Sequence, residues 1–255
     1  MNKVKYCLWT GGWDSTYMLI NLIKDNFVVQ PIYVVDNNRP GHVNEEMAMN
    51  TIFDKIKNSS FYNDNLLDII KVNLNDIKVS DDINKSYEMI KNKIYIGTQY
   101  AWLSELSKKY NPLYIGIEKP SGEYSGCVEA INQFGKLNIK DKVIDKNASS
   151  KELVTLMGNF VFPIIDITEN EMRNNVLEYK YDNIMKHIWF CHSPIKNTPC
   201  GMCRPCQQKM ECNMQYLLPQ KSQKRYSRFK FVEKIFGERF SKVYRKIVLK
   251  IKNVI

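Results

Sequence analysis

Two stretches of the chain carry residue types at spacings that can do chemistry. The first is Thr10-Gly11-Gly12-Trp13-Asp14-Ser15-Thr16, which follows the apolar run Lys3 to Trp9. It leads into Ser15 to Asp25, where apolar residues at 18, 19, 20, 22 and 23 read as a buried helix. Two adjacent glycines permit positive φ and let the backbone approach a ligand closely. The amides around 11–16 can then face an anion, helped by the positive end of the following helix. Ser15 and Thr16 can add hydroxyls to that cradle, or Asp14 or Ser15 can simply cap the helix. The turn lacks the lysine of a Walker A loop and the third glycine of the dinucleotide fingerprint, which disfavours both.

The second stretch is Cys191, Cys200, Cys203 and Cys206, a C-x8-C-x2-C-x2-C pattern within CHSPIKNTPCGMCRPC. Cysteines three apart in a turn rich in glycine and proline can place two sulfurs on one metal, and here two such pairs overlap. Four thiolates would make a closed, tetrahedral and therefore structural zinc site. A C-x-x-C redox pair or plain buried thiols are the competing uses of these residues. Cys212 and His192 lie near enough in sequence to be alternative ligands. Cys7 and Cys127 read as packed or pocket thiols and His187 as a structural histidine.

The elements that must hold these residues follow from period and punctuation. Buried strands are expected at Lys3 to Trp9, Phe27 to Val35, Asp68 to Leu74, Pro112 to Ile117 and Phe160 to Ile167, the last weakened by Pro163. Helices are expected at Ser15 to Asp25, at Glu45 to Lys57, within Asp82 to Tyr110 and from Glu169. Short apolar strands alternating with helices predict an α/β fold with a doubly wound, parallel five-stranded sheet. Ligands in such sheets bind beyond the strand C-termini near the switch in strand order, which puts Thr10–Ser15 and Asp36–Arg39 on one rim.

With 255 residues, 44% hydrophobic and 25% charged, the chain suits one ordinary α/β domain with an appendage, and wholesale disorder is excluded. No apolar run reaches the roughly 18 residues of a membrane span and no secretory signal opens the chain, which predicts a cytoplasmic protein. There, seven cysteines favour metal or free thiols over disulfides. The net charge of +10 is unevenly placed. Residues 213–255 hold twelve Lys/Arg against two acids, Glu233 and Glu238, while the preceding 212 residues hold 25 of each sign. The expected organisation is an ATP-binding α/β domain at 1–180, a zinc-binding segment at 181–212 and a basic amphipathic helical tail at 213–255.

The glycine turn resembles the pyrophosphate loop, S-G-G-x-D-S, of the ATP pyrophosphatase superfamily, with Gly11, Gly12, Asp14 and Ser15 matching and Thr10 in the serine position. Together with the C-x8-C-x2-C-x2-C cluster, residues 1 to about 212 resemble the 7-cyano-7-deazaguanine synthase family. His42 and Glu45 fall in its H-x-x-E position, and Ile165 to Glu171 in its strand-to-helix segment before the zinc knuckle. The resemblance implies an adenine nucleotide alpha hydrolase-like fold with a small four-cysteine zinc knuckle. It also implies an enzyme that uses ATP and Mg2+ to adenylate a deazaguanine carboxylate, which ammonia converts to an amide and a second ATP to a nitrile. Thr10, Gly11, Gly12, Asp14, Ser15 and Thr16 would hold the phosphates, with Asp14 and Ser15 as the catalytic pair. Val35 and Asp36 would flank the adenine, Gln99, Glu118, Ser121, Gly122 and Tyr124 would hold the substrate, and Cys191, Cys200, Cys203 and Cys206 the zinc.

The chain departs from that pattern at several places. Thr98 stands where the family has a pocket arginine, Glu118 and Gly126 where it has aspartates in a segment that here carries one inserted residue, and Trp13 where it usually has glutamine. Charged pocket groups set which substrate is tolerated. Two further readings therefore remain open: an amide ligase that joins the activated acid to an amine of a macromolecule, and a non-catalytic module that binds nucleotide or nucleic acid. In the tail, apolar residues recur at helical spacing among Lys and Arg, broken at Gly237. It is expected to dock on the body or on a second copy as a homodimer, or to contact an acidic partner, a nucleic acid or a membrane surface.

Overall fold

A computed structural model describes residues 4–120 and 126–254. Its centre is a seven-stranded mixed sheet in the order β3-β2-β1-β4-β7-β6-β5. The strands are β1 (Lys5–Leu8), β2 (Val29–Val35), β3 (Ile70–Asn73), β4 (Leu113–Tyr114), β5 (Leu137–Asn138), β6 (Val143–Ile144) and β7 (Phe160–Val161). The five strands expected from sequence are β1 to β4 and β7, and they are parallel. The expected five-stranded parallel sheet is nonetheless corrected. A hairpin of β5 and β6 adds two antiparallel strands at the β7 edge. Each is only two residues long, too short for an alternation to register. β7 ends two residues before Pro163, whose missing amide cannot continue a ladder.

Side chains alternate across the sheet with period two. Tyr6, Leu8, Ile32, Val34, Leu113, Ile115, Phe160 and Phe162 face one core. Cys7, Trp9, Val29, Tyr33, Tyr114 and Val161 face the other. α1 (Trp13–Lys24) and α2 (His42–Lys57) cover the second face, with α7 (Glu169–Glu178) and α8 (Asp182–Met185). α3 (Asp81–Lys91), α4 (Gln99–Lys109), α5 (Gly126–Phe134) and α6 (Lys151–Met157) cover the first. Crossovers change face where the chain passes from β3 to β4, so the strand order reverses between β1 and β4. That junction is the switch point at which doubly wound sheets open a crevice.

The cysteine segment is not a separate body. Cys191, Cys200, Cys203 and Cys206 belong to the core that contains α1, α7 and α8. α9 (Arg204–Glu211) follows, and α10 (Gln220–Val254) closes the chain with a break at Gly237, whose φ is +82°. Among the described residues, no helix is long and apolar enough to cross a membrane.

Candidate functional site at the switch point

The glycine turn is held from four sides. Trp9 is fully buried and donates its indole N–H to Thr16 Oγ1 at 3.0 Å, which ties the end of β1 to the first turn of α1. Gly11 has φ +67°, and a Cβ there would lie 3.0 Å from Met49 Cγ and 3.3 Å from the Glu45 carbonyl on α2. Both the conformation and the packing exclude a larger residue. The Gly11 carbonyl accepts the Trp189 amide at 2.8 Å. Just after β4, Gly116 presses against the turn so closely that a Cβ would sit 2.9 Å from the Ser15 nitrogen. Gly12 caps α1 with no side-chain hydrogen bond, so the amides of the first turn have no side-chain partner at their cap. Ser15 Oγ lies 3.4 Å from both the amide and the hydroxyl of Thr10.

A cavity of about 300 Å3 opens over this turn. Thr10 and Gly12 line it from the turn after β1, Asp14 and Ser15 from α1, Gln99 from α4, and Ile115 to Ile117 from the segment that follows β4. The structure thus brings together the loop residues and one expected substrate residue. Thr16 departs from its expected role, because its hydroxyl is turned into the core to accept Trp9. Val35 and Asp36 end β2 outside the cavity lining, where Asp36 Oδ1 instead accepts the Asn38 amide at 3.0 Å. Glu118 stands beside Asp14 and accepts Gln208 Nε2 at 2.7 Å. Ser121, Gly122 and Tyr124 lie outside the described residues.

Charge is concentrated next to the loop. Lys209 on α9 is 4% exposed, is ion-paired with the buried Glu169 and lies 5.0 Å from the centre of the Trp13 ring. Burial lowers its pKa to about 8, and the charges of Asp14 and Glu118 oppose that shift. Burial raises Asp14, with Lys209 opposing. Glu118 is pushed up to about 7, first by burial and then by the Asp14 charge. On the other rim Arg39 is ion-paired with Glu45, which also accepts the Tyr33 hydroxyl at 3.0 Å. The Arg39 Nε is buried without a partner. His192 joins Arg39 in the lining, its pKa lowered by burial and then by the Arg39 charge. Arg39 and the amides of the α1 N-terminus on one small cavity, with Lys209 buried behind its Trp13 wall, suit an anionic ligand.

The four cysteines form one buried cluster with all sulfurs within 4.8 Å of one another. Cys200 and Cys206 sulfurs are 4.0 Å apart and those of Cys191 and Cys203 3.9 Å. Tetrahedral zinc with sulfur at about 2.3 Å needs separations near ~3.8 Å. Backbone amides donate to the sulfurs: Cys200 to Cys191 at 3.1 Å, and Met202 and Cys203 to Cys200 at 3.3 and 3.2 Å. Such donors stabilise thiolates, so the residues present fit a metal such as zinc. Cys212 and His192 are outside the cluster. Cys7 is fully buried and its thiol is raised by burial, as is Cys127, to about 12, which makes both packed thiols.

The cluster also positions the site. Trp189 bonds the Gly11 carbonyl through its backbone and the Cys191 carbonyl through its indole at 3.0 Å. Cys203 is the N-cap of α9, and Cys206, Gln208 and Lys209 follow on that helix. Sequence reasoning placed Arg39 on the rim with the turn and considered His192 only as a metal ligand, and it missed Lys209, Glu169 and Trp189 as parts of the site. The spacing of Cys206 and Lys209, one helical turn apart, was a readable signal that both face inward. Nothing local showed that Lys209 would meet a glutamate forty residues earlier.

No family model and no curated protein sequence matches this chain. Among solved structures, it is similar to a protein described as a predicted subunit of tRNA methyltransferase from Methanocaldococcus jannaschii. The two are 16% identical over 70% of this chain and 75% of that one, with a TM-score of 0.35.

Proposed function

We propose that the chain is an enzyme that cleaves ATP between its α and β phosphates to activate a carboxylate, of the deazaguanine-acid type, for attack by ammonia. The observation that carries this reading is the convergence of the Thr10–Ser15 turn, the α1 N-terminus and Arg39 on one cavity at the β1/β4 switch point, with Lys209 buried behind the Trp13 ring of that lining. The pyrophosphate-loop resemblance assigns the triphosphate to that turn. Magnesium would be held by the phosphates and by Asp14, the carboxylate that lines the cavity.

In the reaction a carboxylate oxygen attacks the α-phosphorus, the bond to the β-phosphate oxygen breaks and pyrophosphate leaves. The acyl-adenylate then has AMP as leaving group, so ammonia gives the amide. A second adenylation, on the amide oxygen, and loss of AMP give the nitrile. The turn amides and Ser15 orient the α-phosphate for in-line attack, and Lys209 and Arg39 offset charge as it moves onto pyrophosphate. Glu169 holds Lys209 in place, and the buried Trp13 ring excludes water on one side. The zinc would fix α9 and the Trp189 segment and take no part in the chemistry.

Amide ligation to a macromolecular amine is the second reading, favoured by Thr98 and Gly126 at the family's charged positions. The experiment is pyrophosphate release with mass spectrometry of products from MgATP, 7-carboxy-7-deazaguanine and ammonium, with Ser15→Ala as control. A nitrile supports the synthase reaction, and a product that halts at the amide supports ligation. No turnover of this acid would reject it as the substrate.

A further inference from the structure

The far end of the molecule carries a surface that the proposed chemistry does not use. α10 is docked along one face only. In its first half Ser222 and Phe229 are buried, and Arg225 donates to the Cys200 and Pro199 carbonyls at 2.8 and 2.9 Å. Beyond Gly237, Ser241 is buried, Tyr244, Val248 and Leu249 pack on the core, and Arg245 bonds Ser193 Oγ at 3.0 Å. These contacts recur at three- and four-residue spacing, as one helical face requires.

The opposite face is apolar and open. Phe231, Ile235, Phe236, Phe240, Val243, Ile247 and Ile251 are each 49 to 63% exposed. Phe236 and Phe240 bridge the break with ring centroids 6.2 Å apart. Isolated exposed apolar side chains are ordinary, but Phe240, Val243, Ile247 and Ile251 at helical spacing beyond the break, with Phe231, Ile235 and Phe236 just before it, are not. Arg239, Lys242, Lys246 and Lys250 run exposed along the adjoining edge at the same spacing. The tail supplies the molecule's entire positive excess.

We propose that this stripe lies on the surface of an anionic lipid bilayer, with the aromatic and aliphatic side chains in the headgroup–acyl boundary and the adjoining Lys and Arg on the lipid charges. An apolar face beside a basic edge is the composition of interfacial helices, and no described helix is apolar enough to span. A nucleic acid would use the basic edge but gains little from Ile235, Val243, Ile247 and Ile251, which cannot stack on bases. A second copy would bring two excesses of like charge together. A partner that envelops the helix is blocked because the other face is already covered by the body, whereas a flat surface needs only the stripe.

The test is sedimentation of the full-length protein with vesicles of phosphatidylcholine mixed with phosphatidylglycerol, against phosphatidylcholine alone. Binding to the anionic vesicles only, weakened by salt, is expected. Lys246→Gln/Lys250→Gln should weaken it roughly 30-fold, from the typical contribution of a lysine near such a surface. Phe240→Ser/Ile247→Ser should abolish it, with zinc content and thermal midpoint unchanged. No sedimentation with anionic vesicles, or binding that survives the apolar double variant, overturns the proposal. So does a dimer that the same variant splits, or RNA retardation, in the absence of vesicle binding.

Discussion

The Trp189 amide donates to the Gly11 carbonyl at 2.8 Å, and two residues later Cys191 enters the four-cysteine cluster. The left-handed glycine of the loop and the four-cysteine cluster are therefore joined through three residues of backbone. On the cluster's other side α9 carries Lys209 to the same loop. Integrity of the cluster and geometry of the proposed nucleotide site should rise and fall together.

Cys206→Ser tests that linkage. The variant should lose zinc by elemental analysis, and its thermal midpoint should drop, because a structural site contributes folding energy directly. Its ATP affinity should fall at least about tenfold at temperatures where it remains folded, since α9 and the Trp189 segment lose their anchor. Unchanged ATP affinity in a folded, zinc-free variant would separate the two.

Lys209 offers a way to tell chemistry from packing. Lys209→Met leaves Glu169 as an unpaired buried carboxylate and should destabilise the fold by about 3–5 kcal/mol. Adding Glu169→Gln should restore most of that stability. It should not restore turnover, which is expected to stay about a hundredfold down because the cation behind the Trp13 wall of the proposed phosphate site is gone. Recovery of both together would make Lys209 a purely structural residue.

Glu118 predicts a pH dependence. Its folded pKa of about 7 lies above the ordinary glutamate value of 4.5. The folded state therefore binds the proton more tightly than the unfolded chain. The resulting stability is fully present below pH 4.5 and is lost as pH rises through 7. Between about pH 5 and 8 the wild type should lose roughly 2 kcal/mol, about 5 °C in Tm, after allowance for solvent screening. Glu118→Gln should lack this slope in calorimetric scans across that range.

Gly116 makes a sharper geometric claim. Gly116→Ala would set a methyl 2.9 Å from the Ser15 nitrogen, so the turn must shift. ATP affinity should weaken about tenfold while zinc content holds, measured by titration calorimetry.

Much of the sheet was readable because each parallel strand is an apolar run punctuated by a polar or glycine turn, as at Leu8 into Thr10–Gly12. The hairpin of β5 and β6 was not, since Leu137–Asn138 and Val143–Ile144 are too short to show a period. The cysteine cluster was legible because all four ligands sit within sixteen residues, so local spacing is nearly the whole geometry. The charged half of the candidate site was not. Lys209, Glu169 and Asp14 are distant in sequence and meet only through packing of α9 and α7 around α1. Thr16 shows the same limit in reverse: its place in the motif suggested phosphate, and the buried Trp9 indole claims its hydroxyl.

The nucleotide products formed from ATP test the central claim most directly. Purified protein with MgATP, the deazaguanine acid and ammonium should give AMP and pyrophosphate in equal amounts, and Ser15→Ala should reduce both at least about tenfold. Release of ADP and phosphate, or an ATP-binding signal unaffected by changes at Gly11, Ser15 and Lys209, would contradict it.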